Sequence, residues 1–198
     1  VSNVVMTASS SSGVSASGGF YVWAANGLIT HCVVRNCTAT RQRNNGKCNG
    51  IFLYVEAGTA RNCLVVDNTC EVSSQKQEET IDMGAVVANG GTIVNCTVAR
   101  NRMYGTGSDA AQSARCACAG VLAMGGAKVV NTLVWGNESD SSNEHYSQWG
   151  GLAENFINSA LDTETPVNET CLAVTDPGFV DADRRDYRLV SGSVCENQ

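Results

Sequence analysis

Proline, charged residues and positive charge are scarce in this sequence. Two of its 198 residues are proline, 16% are charged, and the net charge is −6. Because proline cannot donate a backbone hydrogen bond, its scarcity leaves long stretches of the chain able to pair as strands. The negative balance argues against a nucleic-acid partner, which would need a basic surface to neutralise phosphates.

Long apolar runs and targeting signals are also missing. No stretch approaches the roughly 18 apolar residues of a membrane-spanning helix, so we expect no insertion into a membrane. The length suits one domain with a sizeable core. The chain begins at Val1 without a recognisable signal peptide, and we interpret it as a mature form or a fragment. Its location must therefore be argued from its cysteines.

Zinc-type cysteine spacing is absent as well. The ten cysteines include no CxxC pair, and His31 and His145 stand far apart in the sequence. We therefore expect neither a metal site nor a cofactor. So many cysteines in a short chain favour disulfides, and hence an extracellular or cell-surface location. The disulfide candidates are Cys37, Cys48, Cys70, Cys116, Cys118, Cys171 and Cys195.

Three pairings fit this set of cysteines. They are Cys37 with Cys48, Cys70 with either Cys116 or Cys118, and Cys171 with Cys195. Because seven is an odd number, at least one of these thiols must stay free or bond elsewhere.

What the sequence does contain is a repeat of 31 to 36 residues. Four segments align, at residues 27–32, 58–63, 91–96 and 127–132, and they end in Cys32, Cys63, Cys96 and Thr132. The positions three residues before and two residues after this column are apolar in every unit. Alternation of this kind is typical of strands, and its recurrence indicates stacked units. We expect the Cys/Thr column to face inward, where thiols behave as small hydrophobes.

Asparagine marks the bends between these strands. The residues just before the Cys/Thr column are His31, Asn62, Asn95 and Asn131, and five residues after it come Cys37, Asn68, Asn101 and Asn137. Asparagine tolerates left-handed backbone angles, and its amide can bond to a neighbouring unit. Each unit is thus predicted to hold about three short strands. The polar segments 38–49, 69–82, 102–118 and 138–150 are expected to form insertions on one side.

A further strand precedes each unit. Its outward face carries the residues that most clearly suggest a function. We align Val22, Leu53, Val86 and Leu122 as an inward column, and the alternation then directs aromatic side chains outward. These are Tyr21, Trp23, Phe52 and Tyr54. Exposed flat rings can stack on sugars, and an exposed apolar patch marks an interaction site. The alternative is that a loop or the serine-rich stretch at residues 9–17 covers them.

The pattern resembles the right-handed parallel β-helix of the pectin-lyase-like superfamily, in the Gly-Thr-Ile-Val-Asn-Cys-Thr-Val form of bacterial secreted and surface proteins. Residues 91–98 carry this motif, and the tail at 176–193 resembles the closing segment of such proteins. The resemblance implies an all-β solenoid of about five to six coils over residues 1–152. Residues 153–198 would then be the closing segment of the same domain, capping one end of the rod.

Several members of that superfamily cleave polysaccharides with acidic residues on one sheet, and glycosidases need two carboxylates across the scissile bond. We find no outward carboxylates that recur in neighbouring units. We therefore expect a non-enzymatic structural or adhesin-like module, able to assemble with itself into fibres. The alternatives are a carbohydrate-binding module, whose partner is a glycan, and a fragment of a polysaccharide lyase or hydrolase. A fold resemblance cannot choose among these functions.

Overall fold

The computed structural model describes residues 5–9, 16–42, 49–73, 83–106, 117–139 and 147–196. Over these residues the chain is all-β, with four parallel sheets and one antiparallel pair of strands near the C-terminus. The expectation of an all-β protein with parallel strands is confirmed.

Each sheet gathers its strands from successive repeats. Sheet C contains β2 (Ala16–Val22), β6 (Asn49–Val55), β10 (Met83–Asn89), β14 (Ala117–Met124) and β18 (Trp149–Gly151). Sheet D contains β3 (Leu28–Thr30), β7 (Thr59–Arg61), β11 (Thr92–Val94), β15 (Lys128–Val130) and β19 (Phe156–Ile157). Sheet A contains β4 (Val33–Arg35), β8 (Leu64–Val66), β12 (Thr97–Ala99), β16 (Leu133–Trp135), β20 (Ala160–Leu161) and β21 (Leu172–Ala173). Sheet B contains β1 (Val5–Ser9), β5 (Thr38–Gln42), β9 (Thr69–Ser73), β13 (Arg102–Thr106) and β17 (Glu138–Ser139).

A full repeat therefore contributes four strands, one to each sheet, where the sequence predicts about three. The additional strand belongs to sheet B and occupies the beginning of segments that we expected to be polar insertions. That expectation is wrong for residues 38–42, 69–73 and 102–106. Parallel pairing continues past the second bend, with Thr38 opposite Thr69 and Thr69 opposite Arg102. Polar side chains at these positions hide the alternation that would reveal a strand.

The register of sheet C also departs from the expected alignment. Val22 pairs with Val55 rather than Leu53, and Leu122 pairs with Val87 rather than Val86. Both β2 and β10 pair with a register shift. One extra residue in a strand moves every later side chain to the other face, so an alignment of whole repeats cannot locate such a shift.

Left-handed residues form two bends in the repeats. Between sheets D and A, φ is 54° at His31, 54° at Asn62, 50° at Asn95 and 47° at Asn131. Between sheets A and B, the left-handed residues are Asn36, Asp67, Arg100 and Gly136. The first predicted bend column is confirmed. At the second bend the left-handed position lies one residue before the predicted column of Cys37, Asn68, Asn101 and Asn137. Asparagine dominates the first bend because its short polar side chain tolerates this conformation better than most residues do.

A ladder of buried amides runs through the second bend of the repeats. Asn68 donates from Nδ2 to Oδ1 of Asn101 at 2.9 Å, and Asn101 donates in the same way to Asn137 at 3.0 Å. Asn137 donates to Oε1 of Gln148 at 3.0 Å. Since all four side chains are buried, these bonds replace water as the partners of the amides.

Each amide of the ladder also binds backbone atoms of its neighbours. Asn68 donates to the carbonyl of Val34 at 3.0 Å and accepts a bond from the backbone N–H of Cys37 at 3.0 Å. Asn101 donates to the carbonyl of Val65 at 2.9 Å. One asparagine thus ties together three consecutive repeats.

The Cys/Thr column at the first bend forms a second ladder. The backbone N–H of Cys63 donates to Sγ of Cys96 at 3.4 Å, and the N–H of Cys96 donates to Oγ1 of Thr132 at 3.4 Å. Ser159 continues the column, since its Oγ accepts a bond from Thr132 N–H at 3.2 Å. The column faces inward as predicted, and Cys63 and Cys96 are buried.

The interior cluster of apolar side chains draws on all four sheets. Leu53 comes from sheet C, Ile93 from sheet D, Val65 from sheet A and Met103 from sheet B, and all are fully buried. Burying each such side chain contributes about 1.5–3 kcal/mol to stability. The predicted inward columns through Ile93 and Val65 are confirmed.

The C-terminal residues first extend two of the sheets and then form a hairpin that packs on the outer side of sheet A. Strands continue sheets D and A beyond residue 152, up to β21. The antiparallel pair follows: β22 (Phe179–Asp181) and β23 (Asp186–Leu189). Tyr187 packs against Val66 on the side of sheet A away from the interior, and Phe179 meets Trp135 edge to face at 5.6 Å. We call this pair the C-terminal hairpin.

Replacing Asn101 with alanine should lower the free energy of unfolding by about 2–5 kcal/mol, because it leaves buried partners in two neighbouring repeats without hydrogen bonds. Urea denaturation followed by circular dichroism measures this change. Asn95→Gly is the matched control. Asn95 is exposed at a left-handed bend, and glycine adopts the same backbone angles without strain. Equal denaturation midpoints for the two variants would contradict the structural role of the ladder.

Candidate functional site

Two of the four predicted aromatic residues pack together at the edge of sheet C, and a third lies two residues further along the chain. Tyr21 and Tyr54 are paired in register, and their ring centroids lie 4.9 Å apart with an interplanar angle of 37°. Trp23 follows β2 directly, and 73% of its surface is exposed. We call Tyr21, Trp23 and Tyr54 the aromatic surface.

Phe52 does not belong to this surface. It is fully buried and is part of the interior cluster, against the expectation that it points outward. The irregular pairing of β2 with β6 explains the difference, because the register shifts between Ser17 and Phe20. Strict alternation, on which the expectation rests, does not hold through such a shift.

Polar groups stand beside the aromatic rings. The hydroxyl of Tyr21 donates to Oε2 of Glu56, and Nδ2 of Asn89 donates to the hydroxyl of Tyr54 at 3.4 Å. Glu56 is exposed. The sequence analysis did not select Glu56 or Asn89 as site residues. Glu56 could have been selected, because it directly follows Val55 at the end of the strand that carries Tyr54. Flat rings with a carboxylate and an amide at their margin can bind a polar ligand that has an apolar face.

The tyrosine column continues into a buried cluster along sheet C. Val87 and Leu122 follow Tyr54 in the ladder, and both are buried together with Ile51 and Cys118. The exposed part of this outer face is therefore confined to its first strands within the described residues. This gives the aromatic surface a defined boundary.

A charged cluster lies at the other side of the molecule, where the C-terminal hairpin meets the second bend. Tyr187 donates to Oδ1 of Asp67 at 2.8 Å. Arg100 lies 3.8 Å from Asp67 and 2.7 Å from Asp183. Arg185 Nε is 3.7 Å from Oδ2 of Asp67. These groups bind one another, so the cluster secures the hairpin rather than offering a reactive group to solvent.

The pKa values in this cluster shift in the direction that its contacts require. Burial, followed by the hydrogen bond to Asp67, raises the pKa of Tyr187. The hydrogen bond to Asp183 raises the pKa of Arg100. Both groups therefore keep their protons at neutral pH, as the bonds they donate demand.

A cavity of about 500 Å³ lies between the last strand of sheet C and the segment 162–167. Trp149, Asp162 and Glu164 are among the residues that line it. Asp162 is partly engaged, since its Oδ2 accepts a bond from Gly136 N–H at 3.1 Å. The size is within the range of small-molecule sites. The sequence analysis missed this cavity because its residues belong to no repeated column.

The predicted cysteine pairings do not form among the described residues. Cys171 lies in the interior cluster, whereas Cys195 packs with the C-terminal hairpin outside sheet A, and both are free thiols. Cys70 lies in the interior cluster and Cys118 in the outer cluster of sheet C. The predicted pairings rest on nearness along the repeat. Successive residues of a strand point to opposite faces of the sheet, so cysteines that are near along the repeat can lie on different faces.

Two of the candidate cysteines, Cys48 and Cys116, lie outside the described residues. The pairing of Cys37 with Cys48 and that of Cys70 with Cys116 therefore remain predictions. Cys37 itself is a buried thiol whose Sγ lies 3.5 Å from the carbonyl of Arg35.

The described part of the chain holds no group of three or more His, Cys, Asp or Glu side chains that could bind a metal ion. Nor do the described residues include a helix that is long and apolar enough to cross a membrane.

Comparisons of the chain with the models of known protein families, with curated proteins and with solved structures find no match.

Replacing Tyr187 with phenylalanine should lower the free energy of unfolding at pH 7 by about 1–2 kcal/mol, because Asp67 loses its hydroxyl donor. The folded state raises the pKa of Tyr187, so the unfolded chain loses this proton first as the pH rises past about 10. The contribution of Tyr187 is thus complete below that pH and declines above it. The gap between wild type and variant should shrink accordingly.

Urea denaturation at pH 7 and pH 10.5 measures the gap. Asp183→Asn is the control, since Asp183 is 92% exposed at its side chain and should change stability by less than about 1 kcal/mol. A gap that stays constant between the two pH values would show that the phenol of Tyr187 does not contribute through its proton.

Proposed function

We propose that this protein is a non-enzymatic extracellular or cell-surface module that binds a glycan through its aromatic surface, in the manner of an adhesin. We also propose that its four sheets wind as a right-handed parallel β-helix of the pectin-lyase-like type. The order in which successive strands visit sheets C, D, A and B supports the winding, as does the single interior cluster between them.

The aromatic surface is the observation that carries the functional proposal. A sugar ring has an apolar face of C–H groups, and an exposed indole gives it a flat partner. Trp23 is 73% exposed, and Tyr21 is 45% exposed beside it. Glu56 and Asn89 stand at the rim, where they can bond sugar hydroxyls. Aromatic rings are usually buried away from water. The grouping of these rings at one edge of sheet C therefore favours an interaction site over chance exposure.

The charge of the chain indicates which glycans to test first. Glu56 lies at the surface and the net charge is −6, so an acidic polysaccharide would meet repulsion. Neutral or amino sugars avoid this cost. A glycosidase would need a second carboxylate facing the first across the bond, whereas Glu56 is already held by the hydroxyl of Tyr21. Binding without cleavage is the function that these groups support.

Replacing Trp23 with alanine should weaken glycan binding about 10-fold or more, because the variant loses the largest exposed ring of the surface. A glycan array identifies the ligand for the wild type, and isothermal titration then compares the variants. Trp23→Phe should retain part of the affinity, because a flat ring remains.

Leu152→Ala is the matched control, since Leu152 is an exposed apolar residue outside the aromatic surface. It should bind the glycan like the wild type. If Trp23→Ala kept full affinity while Glu164→Gln lost it, the binding site would be the cavity beside Trp149. Absence of binding to every neutral, amino and acidic glycan would overturn the proposal.

Self-association is a second candidate function, favoured by the sheet edges. Among the described residues β2, β3 and β4 are the last strands of sheets C, D and A on one side. A strand of a second copy could extend the sheets there. Light scattering should then show mass that rises with concentration, and Leu28→Lys should suppress it by placing charge at this edge. A constant monomer mass would contradict self-association and leave the glycan proposal untouched.

A further inference from the structure

Three thiols occupy the same position in three consecutive repeats. Cys32, Cys63 and Cys96 each follow the left-handed residue of the first bend. The backbone N–H of Leu64 donates to the carbonyl of Cys32 at 2.9 Å, and that of Thr97 donates to the carbonyl of Cys63 at 2.9 Å. The bends are thus stacked in register. Neighbouring parallel strands lie about 4.8 Å apart, which is within the Cα separation that a disulfide spans.

The three thiols differ in their access to solvent. Cys32 is partly exposed, whereas Cys63 and Cys96 are buried. A soluble reagent therefore reaches the column through Cys32. Cys63 is next in the column and is the thiol that a modified Cys32 would face.

The middle thiol is prepared for nucleophilic attack. The side-chain interaction with Cys96 lowers the pKa of Cys63, although burial opposes the shift. The same interaction and burial raise the pKa of Cys96. Sγ of Cys96 also accepts a bond from the backbone N–H of Cys63 at 3.4 Å, and this contact holds Cys63 in place. Cys32 and Cys96 are the titratable side chains that face Cys63, and Arg61 on its own strand is exposed. The thiolate is the reactive form of cysteine.

We propose that Cys32 and Cys63 form a reversible disulfide by exchange with a low-molecular-weight disulfide, and that Cys96 positions Cys63 for this step. The Cys32 thiolate attacks one sulfur of the small disulfide, which forms a mixed disulfide and releases one small thiolate. The Cys63 thiolate then attacks Sγ of Cys32, which forms the Cys32–Cys63 bond and displaces the second small thiolate. Two protein thiols are oxidised, and one small disulfide is reduced to two thiols.

This site differs from the seven cysteines that the sequence favours for disulfides. It is also independent of glycan binding, because the column lies inside the bends and the aromatic surface lies on sheet C. The third member of the column has a role in this scheme, since Cys96 remains a thiol and its Sγ accepts the bond from the backbone N–H of Cys63.

Peptide mapping tests the proposal directly. Trypsin cleaves after Arg35, Arg61, Lys76 and Arg100, so Cys32, Cys63 and Cys96 fall in the separate peptides 1–35, 62–76 and 77–100. The reduced protein is incubated with oxidised glutathione, remaining thiols are alkylated, and the digest is read by mass spectrometry. A Cys70→Ser background is used, because peptide 62–76 also contains Cys70. We expect peptide 1–35 to be linked to peptide 62–76.

Variants of the column separate the roles of its members. Cys63→Ser should leave Cys32 trapped as a mixed disulfide with glutathione. Cys96→Ala should slow formation of the Cys32–Cys63 bond about 10-fold, because the backbone N–H of Cys63 loses the acceptor that holds Cys63 in place. Cys96→Ser keeps an acceptor and should restore the rate. A hydroxyl fits this position, as Thr132 and Ser159 show in later repeats.

Cys195→Ser, on the C-terminal hairpin, is the control and should not change the rate. Three results would overturn the proposal: a link between peptides 62–76 and 77–100 in place of the expected one, no link in the folded wild type, or equal rates for Cys96→Ala and Cys96→Ser.

Discussion

The requirement that each buried amide find a partner in the next repeat governs this structure. Asn68, Asn101 and Asn137 each bond the repeat before and the repeat after. An uncompensated buried amide is costly, so a shift of one repeat against the next would break several bonds at once. The ladder therefore fixes the register of four sheets from a single column. The interior apolar residues supply most of the stabilisation, but they are similar in size and would tolerate more than one register.

How far the sequence reveals this fold depends on the type of residue. The bends were predictable, because asparagine before an inward column has a conformational reason to be there, and the φ values at Asn62, Asn95 and Asn131 agree. The strands of sheet B were hidden, because polar residues such as Arg102 flank the few inward apolar side chains, such as Met103. The position of Phe52 was wrong because a register shift within a strand leaves no mark in the sequence.

The residues of the candidate site also differ in how well the sequence predicts them. Tyr21, Trp23 and Tyr54 could be selected because aromatic side chains on the outward positions of alternating strands are unusual, and the structure packs Tyr21 against Tyr54. The cavity near Trp149 could not be selected, since it depends on how the segment 162–167 folds back after the last repeat. Pairing of cysteines is hard to predict for a related reason. Distance along the chain says little about which face of a sheet a thiol occupies, as Cys171 and Cys195 illustrate.

The amide ladder also has a direction and two different ends. Each asparagine of the ladder donates to the next amide on its C-terminal side, from Asn68 through Asn101 and Asn137 to Gln148. At the far end Gln148 turns its own Nε2 back to the carbonyl of Asn137 at 3.0 Å and so closes the ladder. Each asparagine also donates back to a carbonyl of the preceding repeat. Because these partners recur from repeat to repeat, duplication or loss of an internal unit would change the length of the protein without leaving a buried amide unpaired.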